Sequence, residues 1–173
     1  YYENAQNQKR LTEIRKIFPK HKIESHDHHF CHAATAYFGL GDYENEILLL
    51  TADGEGDGKS ASISIGHQGK IVEKEALSFK HSLGRLYSYM TFLFNMVPHE
   101  HEYKIMGLAP YCRDKMRIKK CKEDLFGLIN FKNDQDLFWS YLGNYPSIQS
   151  AGKEIRAIFN RHRFDILSAA VQE

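Results

Sequence analysis

The chain of 173 residues carries a formal net charge of +1, with 42% hydrophobic and 26% charged residues. This balance excludes a disordered chain, and a charge so close to zero gives no field that would recruit nucleic acid or an anionic membrane. No apolar run approaches the ~20 residues that a membrane-spanning helix needs. Three cysteines without framework spacing favour a reducing compartment, so we expect a cytoplasmic protein without a membrane partner.

The first forty residues predict two helices around a short strand. Apolar side chains recur there at helical spacing, and Pro, Gly and Asp stand where helices end or begin. The predicted elements are a helix over 7–18 that Pro19 ends, a strand over 22–25, and a helix over 28–38 that Asp27 caps and Gly39 and Gly41 end.

Three sequential strands follow. The apolar run Ile47 to Thr51 predicts a strand buried on both faces, and Asp53 to Gly58 a glycine-rich turn. Ala61, Ile63 and Ile65 alternate with serines, as in a second strand. A hairpin turn over 67–70 then leads to a third strand over 71–77. We therefore expect an antiparallel meander.

From Ser82 the spacing of apolar residues becomes that of an amphipathic helix, which Pro98 ends. Further helices are predicted over 102–108, 113–125, 148–160 and 164–172, while 131–145 has no assignment. The order of elements predicts one domain of α/β or α+β class, with a mixed sheet and helical cover.

Four of the ten histidines fall between His26 and His32. On a helix, His28 and His32 lie one turn apart on the same face, the geometry that HExxH zinc sites use, so we predict both as metal ligands. Position 29 is His rather than Glu, which argues against a metalloprotease. His29 points roughly 100° away and is assigned to a substrate or a phosphate instead. A surface helix merely rich in histidine is the alternative.

The segment Asp53 to Gly58 has glycines at alternate positions, which would let backbone N–H groups form a nest around an anion. Asp53 could orient a metal, a water or a ribose hydroxyl. A strand follows rather than a helix, which excludes a Walker A loop and resembles the phosphate hairpins of actin-like ATPases. An ordinary acidic hairpin is the alternative. The predicted nucleotide-binding residues are Asp53, Gly54, Gly56, Asp57 and Gly58.

A third motif runs from Glu102 to Tyr111. Lys104 would meet a phosphate as a point charge, and Gly107 would permit close backbone approach, so both are predicted to bind the nucleotide. The alternative is a helix end packed into the core. The basic stretch over 113–122 has no aromatic stacking pattern, so we expect no nucleic-acid partner.

In this order, five segments resemble the O-carbamoyltransferases, a family that includes nodulation-factor and antibiotic-tailoring enzymes. The resemblance covers most of the chain and is weakest over 115–147. The chain departs from the family pattern at Cys112, because glycine usually follows the tyrosine that corresponds to Tyr111. The segments are DHHFCHAATAYF (27–38), LLLTADGEGDGKSASISI (48–65), SLGRLYSYMT (82–91), EYKIMGLAPY (102–111) and FDILSAAVQE (164–173).

The resemblance implies an actin-like ATPase (ribonuclease H-like) fold, of which residues 1–173 would be a fragment without the first hairpin and the carboxy-terminal half. It implies iron(II) at His28 and His32, with a third ligand, an aspartate, beyond Glu173. Two histidines suit iron and zinc alike. The remainder of the same polypeptide is therefore an expected partner, and we expect the fragment alone to be inactive.

The resemblance also implies a transferase chemistry. Carbamoyl phosphate and ATP give carbamoyl-adenylate in a separate domain, and the present domain moves the carbamoyl group to an acceptor hydroxyl of a small molecule or sugar. We expect Lys104 to meet a carbamoyl oxygen, and His29 or His26 to take the acceptor proton. Two alternatives stay open: carbamoyl or threonylcarbamoyl transfer to tRNA or a protein, and a non-catalytic nucleotide-binding module.

Overall fold

The computed structural model describes residues 5–130, 138, 140–141 and 150–173. Seven α-helices, two short 3₁₀ turns and five strands form within these residues, so the predicted mixture of helices and strands is confirmed. None of these helices has the length and apolar character that crossing a membrane requires. The helices are α1 (Ala5–Ile17), α2 (His28–Leu40), α3 (Leu83–Leu93), α4 (Glu102–Leu108), α5 (Lys115–Phe126), α6 (Gly152–Arg161) and α7 (Phe164–Gln172); the strands are β1 (Ile47–Gly56), β2 (Lys59–His67), β3 (Lys70–Ser78), β4 (Ile129–Asn130) and β5 (Ser140–Tyr141).

The predicted meander is confirmed: β1, β2 and β3 lie side by side in that order, and each pair is antiparallel. Both hairpin turns have two residues with positive φ, Asp57 and Gly58 at 50° and 82° and Gln68 and Gly69 at 49° and 74°. This backbone suits the twist of the flanking strands. The β4–β5 pair is antiparallel too, so the parallel pairs of a mixed sheet are not found in the part of the chain that the structure describes.

The prediction that β1 is buried on both faces is wrong. Leu49 and Thr51 are buried beneath α2, whereas Leu48 and Leu50 on the opposite face are 69% and 67% exposed. Helix α2 packs against β1 and β2 on one side of the sheet. Within the described residues, no helix covers Leu48 and Leu50 on the other side. The apolar run therefore belongs to a strand that is buried on one face only.

Helix α2 is fixed at both ends by its own sequence. Asp27 is the predicted N-cap and accepts a hydrogen bond from the backbone N–H of Phe30 at 2.9 Å. Gly41, with φ of 75°, ends the helix, which continues through Gly39. Tyr37 anchors the far end, because its ring lies where a Cβ on Gly66 would come closer than 3.0 Å.

Three other predicted boundaries are corrected. Residues 22–25 form no strand, since no neighbouring strand in the described residues offers hydrogen bonds to that segment. Helix α3 ends at Leu93, well before Pro98, because Asn95 takes a positive φ of 59°. Helix α6 begins at Gly152; the predicted start over 148–149 and nearly all of 131–145 lie outside the described residues. Helix α4 has the predicted bounds.

A second core lies among the helices that follow the sheet. Its fully or almost fully buried members come from α3, α5, α6 and α7, and they include Met90, Cys121, Ile155 and Leu167. Helix α3 connects this core to the sheet, because Ser82 caps the helix and donates a hydrogen bond to the carbonyl of Asp53 at 3.3 Å. The end of β1 therefore lies between α2 and α3.

Candidate functional site

The amino-terminal end of α2 and the carboxyl half of β1 bring His28, His32 and Asp53 together. The Nε2 atom of His28 lies 3.0 Å from Nε2 of His32 and 2.7 Å from Oδ2 of Asp53. The Nε2 atom of His32 lies 3.7 Å from the same carboxylate oxygen. All three side chains are partly exposed, so a ligand from solvent can reach them. The predicted placement of both histidines on one helix face is confirmed.

This donor set fits a divalent metal ion. Metal–ligand bonds of about 2.0–2.2 Å place neighbouring ligand atoms roughly 3 Å apart, close to the separations seen here. Two imidazoles with one carboxylate suit iron(II) and zinc and leave open coordination positions. The hydrogen bond with His28 lowers the pKa of Asp53, so its carboxylate is ionised at neutral pH, as metal binding requires.

The position of Asp53 beside both histidines fits the metal among the three options that the sequence left open for it. Asp53 was predicted to contact a nucleotide, with a metal only one of three options, and the third metal ligand was expected beyond Glu173. In the structure Asp53 completes a group of three possible ligand atoms that all lie within 4.8 Å of one another. The described residues therefore contain a carboxylate for the histidine pair.

His29 lies in the core instead of facing the site. Its side chain is fully buried, and its Nδ1 lies 2.7 Å from the hydroxyl of Thr51. Burial lowers the pKa of His29, which keeps the imidazole neutral. This geometry contradicts the predicted contact of His29 with a substrate or phosphate. His26 lies at the surface beside Phe30, with Nε2 3.8 Å from a carboxylate oxygen of Glu24.

The glycine-rich segment Asp53 to Gly58 forms a turn only at its end. Gly54 and Gly56 are part of β1, and only Asp57 and Gly58 form the turn. The carboxylate of Asp57 accepts a hydrogen bond from the backbone N–H of His28 at 2.8 Å. The segment therefore contacts α2 directly, and Asp53 to Gly56 form strand with an irregular register instead of the predicted turn.

Lys104 and Gly107 lie on α4, apart from the histidine pair. The Lys104 side chain is exposed, with its Nζ 5.8 Å from the centre of the Tyr103 ring. The space beside Gly107 is open, since a Cβ there would meet no atom within 4 Å. The structure places neither residue among those that form the site around Asp53.

A cleft of about 930 Å³ opens beside Asp53, between the end of β1, α3 and the start of α4. Tyr89 and Phe92 form its apolar side, with their rings stacked at 6.2 Å. Glu102 lines the cleft and accepts hydrogen bonds from the Ser88 hydroxyl at 3.2 Å and the His99 backbone N–H at 2.7 Å. The sequence did not predict this cleft. Tyr89 and Phe92 lie outside the apolar face by which α3 was predicted, and Glu102 was identified only as the first residue of the third motif.

A cleft thus has at its edge a His–His–Asp cluster whose three ligand atoms could hold a metal ion. Comparison with known proteins gives the family: the chain belongs to the carbamoyltransferase N-terminus family, whose model matches residues 2–170.

Three relatives share this region. An uncharacterized protein of Synechocystis (sll1178) is 37% identical over 51% of this chain, and the nodulation protein NolNO of Sinorhizobium fredii is 36% identical over 52%. An uncharacterized protein of Methanocaldococcus jannaschii (MJ1058) is 31% identical over 57% of the chain. The matched regions span 14%, 13% and 18% of those proteins, respectively. The chain thus corresponds to a small part of each relative.

Proposed function

We propose that this chain supplies the carbamoyl-transfer site of an O-carbamoyltransferase, which moves a carbamoyl group to the hydroxyl of a small molecule or sugar. Family membership and the likeness to a nodulation protein support this class of reaction. The observation that carries the proposal is the convergence of His28, His32 and Asp53 at the edge of a cleft.

In this proposal His28, His32 and Asp53 hold a divalent metal, iron(II) or zinc. When bound, such an ion acts as a Lewis acid that polarises a carbonyl or phosphoryl oxygen. The protein keeps Asp53 ionised and both Nε2 atoms directed at the same point. The open side of this group faces solvent, where a carbamoyl donor can approach.

The donor in this proposal is carbamoyl-adenylate, made from carbamoyl phosphate and ATP by the rest of the polypeptide. The acceptor oxygen attacks the carbamoyl carbon, and the bond from that carbon to the phosphate oxygen breaks. AMP leaves with the electron pair of that bond, and the proton of the acceptor hydroxyl passes to solvent. The acceptor would lie in the cleft, against Tyr89 and Phe92, with Glu102 accepting hydrogen bonds from its hydroxyls. Because His29 is buried, this proposal gives it no part in proton removal.

The domain in this proposal belongs to an actin-like ATPase (ribonuclease H-like) fold. The antiparallel meander with α2 across one face supports that assignment. We place the protein in the cytoplasm, consistent with its three free cysteines.

The test is turnover by the full-length protein with carbamoyl phosphate, ATP and iron(II), across a panel of hydroxylated acceptors. We expect AMP and a carbamoylated product from the wild type, and loss of product in His32→Ala. His21→Ala is the control, because His21 is an exposed histidine whose ring contacts Phe18 and none of the three proposed ligands. If no acceptor led to consumption of carbamoyl phosphate, carbamoyl transfer would be refuted. Unchanged function in His32→Ala would favour a non-catalytic nucleotide-binding module.

A further inference from the structure

The tip of the β1–β2 hairpin, Gly56 and Asp57, lies against the first residue of α2. A Cβ built on Gly56 would come closer than 3.0 Å to Cβ, Cγ and Cδ2 of His28. Ordinary contacts of a Cβ lie at 3.4–4 Å. The imidazole of His28 therefore occupies the space that any side chain at position 56 would need.

Asp57 fixes the backbone of the same histidine. Its Oδ2 accepts a hydrogen bond from the His28 N–H at 2.8 Å, and its φ of 50° places the carboxylate at the turn. The backbone of His28 is thus tied to position 57 while its ring rests on position 56. Neither contact involves His32 or Asp53, so the hairpin tip acts on one of the three proposed ligands.

We propose that Gly56 and Asp57 are positioning residues, which set the direction of the His28 imidazole for metal binding. This inference rests on the proposed metal site. The ring atom Cδ2, which faces Gly56, is bonded to Nε2, the atom that would bind the metal. A Cβ on Gly56 would lie 2.1 Å from Cδ2, whereas ordinary contact begins at 3.4 Å, so the ring must move by roughly an ångström to admit a methyl group. Such a movement displaces Nε2 by more than the roughly 0.2 Å that metal–ligand distances tolerate.

Neighbouring rings limit the room for the His28 ring on two of its sides. The centre of the His32 ring lies 4.6 Å from that of His28, and the centre of the His29 ring lies 5.5 Å away. A methyl group on Gly56 therefore changes the position of the His28 ring relative to His32 and Asp53. The space beside Gly39, on the same helix, is open by contrast, since a Cβ there would meet no atom within 4 Å.

The experiment measures cobalt(II) binding to the full-length protein, by its visible absorption spectrum and its affinity, together with the melting temperature of the metal-free protein. We expect Gly56→Ala to bind cobalt(II) about 10–100-fold more weakly and to change its spectrum, as loss of an outer orienting contact does at metal sites. Gly39→Ala is the matched control and is expected to bind as the wild type does.

A second pair of variants covers the case in which Gly56→Ala does not fold. Asp57→Asn keeps an oxygen that accepts the His28 N–H and tolerates the positive φ, so we expect nearly wild-type affinity. Asp57→Gly also tolerates that φ but removes the acceptor, and we expect about tenfold weaker binding. Equal affinities for Asp57→Asn and Asp57→Gly would overturn the role of Asp57.

The outcomes separate this inference from the proposed metal site. A Gly56→Ala protein with a lower melting temperature but the wild-type cobalt(II) spectrum and affinity would show a merely structural contact and overturn the inference alone. A wild-type protein that bound no more cobalt(II) than His28→Ala would overturn the metal site itself, and the inference with it.

Discussion

Thr51 connects the buried His29 to the middle of the sheet, and replacing it with valine isolates that connection. The Thr51 hydroxyl lies 2.7 Å from Nδ1 of His29 and 2.7 Å from the hydroxyl of Ser62, and it accepts the Ser62 backbone N–H at 3.0 Å. All three residues are buried. Valine has nearly the same shape as threonine, so Thr51→Val removes the hydroxyl without leaving a cavity.

The loss of stability follows from the groups that are left without a partner. Thr51→Val would deprive Nδ1 of His29 and the Ser62 hydroxyl of the partner that each has in the structure. A buried polar group without a partner costs about 1–3 kcal/mol, so these two groups should lower the free energy of unfolding by about 2–6 kcal/mol. For a domain of this size that corresponds to a fall of roughly 4–24 °C in melting temperature.

The assay is thermal unfolding of the full-length protein and its variants. Thr51→Ser keeps the hydroxyl and should lose much less stability than Thr51→Val. Thr35→Val is the matched control, since Thr35 is exposed on α2 and bonds only to the backbone carbonyl of Cys31 one turn earlier. If Thr51→Val were as stable as Thr35→Val, the buried hydrogen bonds would contribute nothing and the argument would be refuted.

Three further predictions address other parts of the molecule. Asp53→Asn should weaken cobalt(II) binding at least roughly 10–100-fold, and an unchanged titration would remove Asp53 from the ligand set. Gly66→Ala should lower the free energy of unfolding by about 1–3 kcal/mol, because the added methyl group would overlap the Tyr37 ring. A melting experiment measures this change, and a variant as stable as the wild type would show that Tyr37 does not pack tightly on Gly66. Iodoacetamide at neutral pH should alkylate the exposed Cys31 but not Cys121, because burial raises the pKa of the Cys121 thiol to about 12. Mass spectrometry of the native protein after labelling measures both sites. Rapid labelling of Cys121 would contradict this prediction and show that α5 opens.

Local signals in the sequence predicted the hairpins and the start of α2 well. Gly58 and Gly69 mark turns that need positive φ, and Asp27 is a short acceptor directly before a helical pattern. Such features depend on a few neighbouring residues, which is why they can be predicted without knowing the rest of the fold.

The burial of His29 could have been predicted from its spacing. His29, Ala33 and Tyr37 follow at i, i+4 and i+8, and all three are fully or almost fully buried against the sheet. The histidine-rich context instead favoured a contact of His29 with a substrate or phosphate. His29 lies on the buried face of α2 with Ala33 and Tyr37. His28 and His32 lie on a neighbouring face of the same helix, toward Asp53.

The contact of Asp53 with His28 depends on the lengths of α2 and β1 and on how the two elements pack together. Helix α2 rises about 1.5 Å per residue and β1 about 3.3 Å, so His28 to Leu40 and Ile47 to Asp53 span similar distances, roughly 18 and 20 Å. Because the two elements run in opposite directions along the sheet, the first residue of one lies level with the end of the other. The exposure of Leu48 on β1 depended on which sheet face is covered, which a local pattern does not contain.

The carboxylates around the start of α2 change what that helix end can attract. A free helix amino terminus carries a partial positive charge and commonly binds phosphate. Here Asp27 accepts the Phe30 N–H and Asp57 the His28 N–H, while Asp53 lies against the His28 ring. These carboxylates occupy N–H groups that would otherwise bind an anion, and Asp27 also pairs with Lys59 at 3.3 Å. A negatively charged donor would therefore have to rely on a bound cation for its attraction.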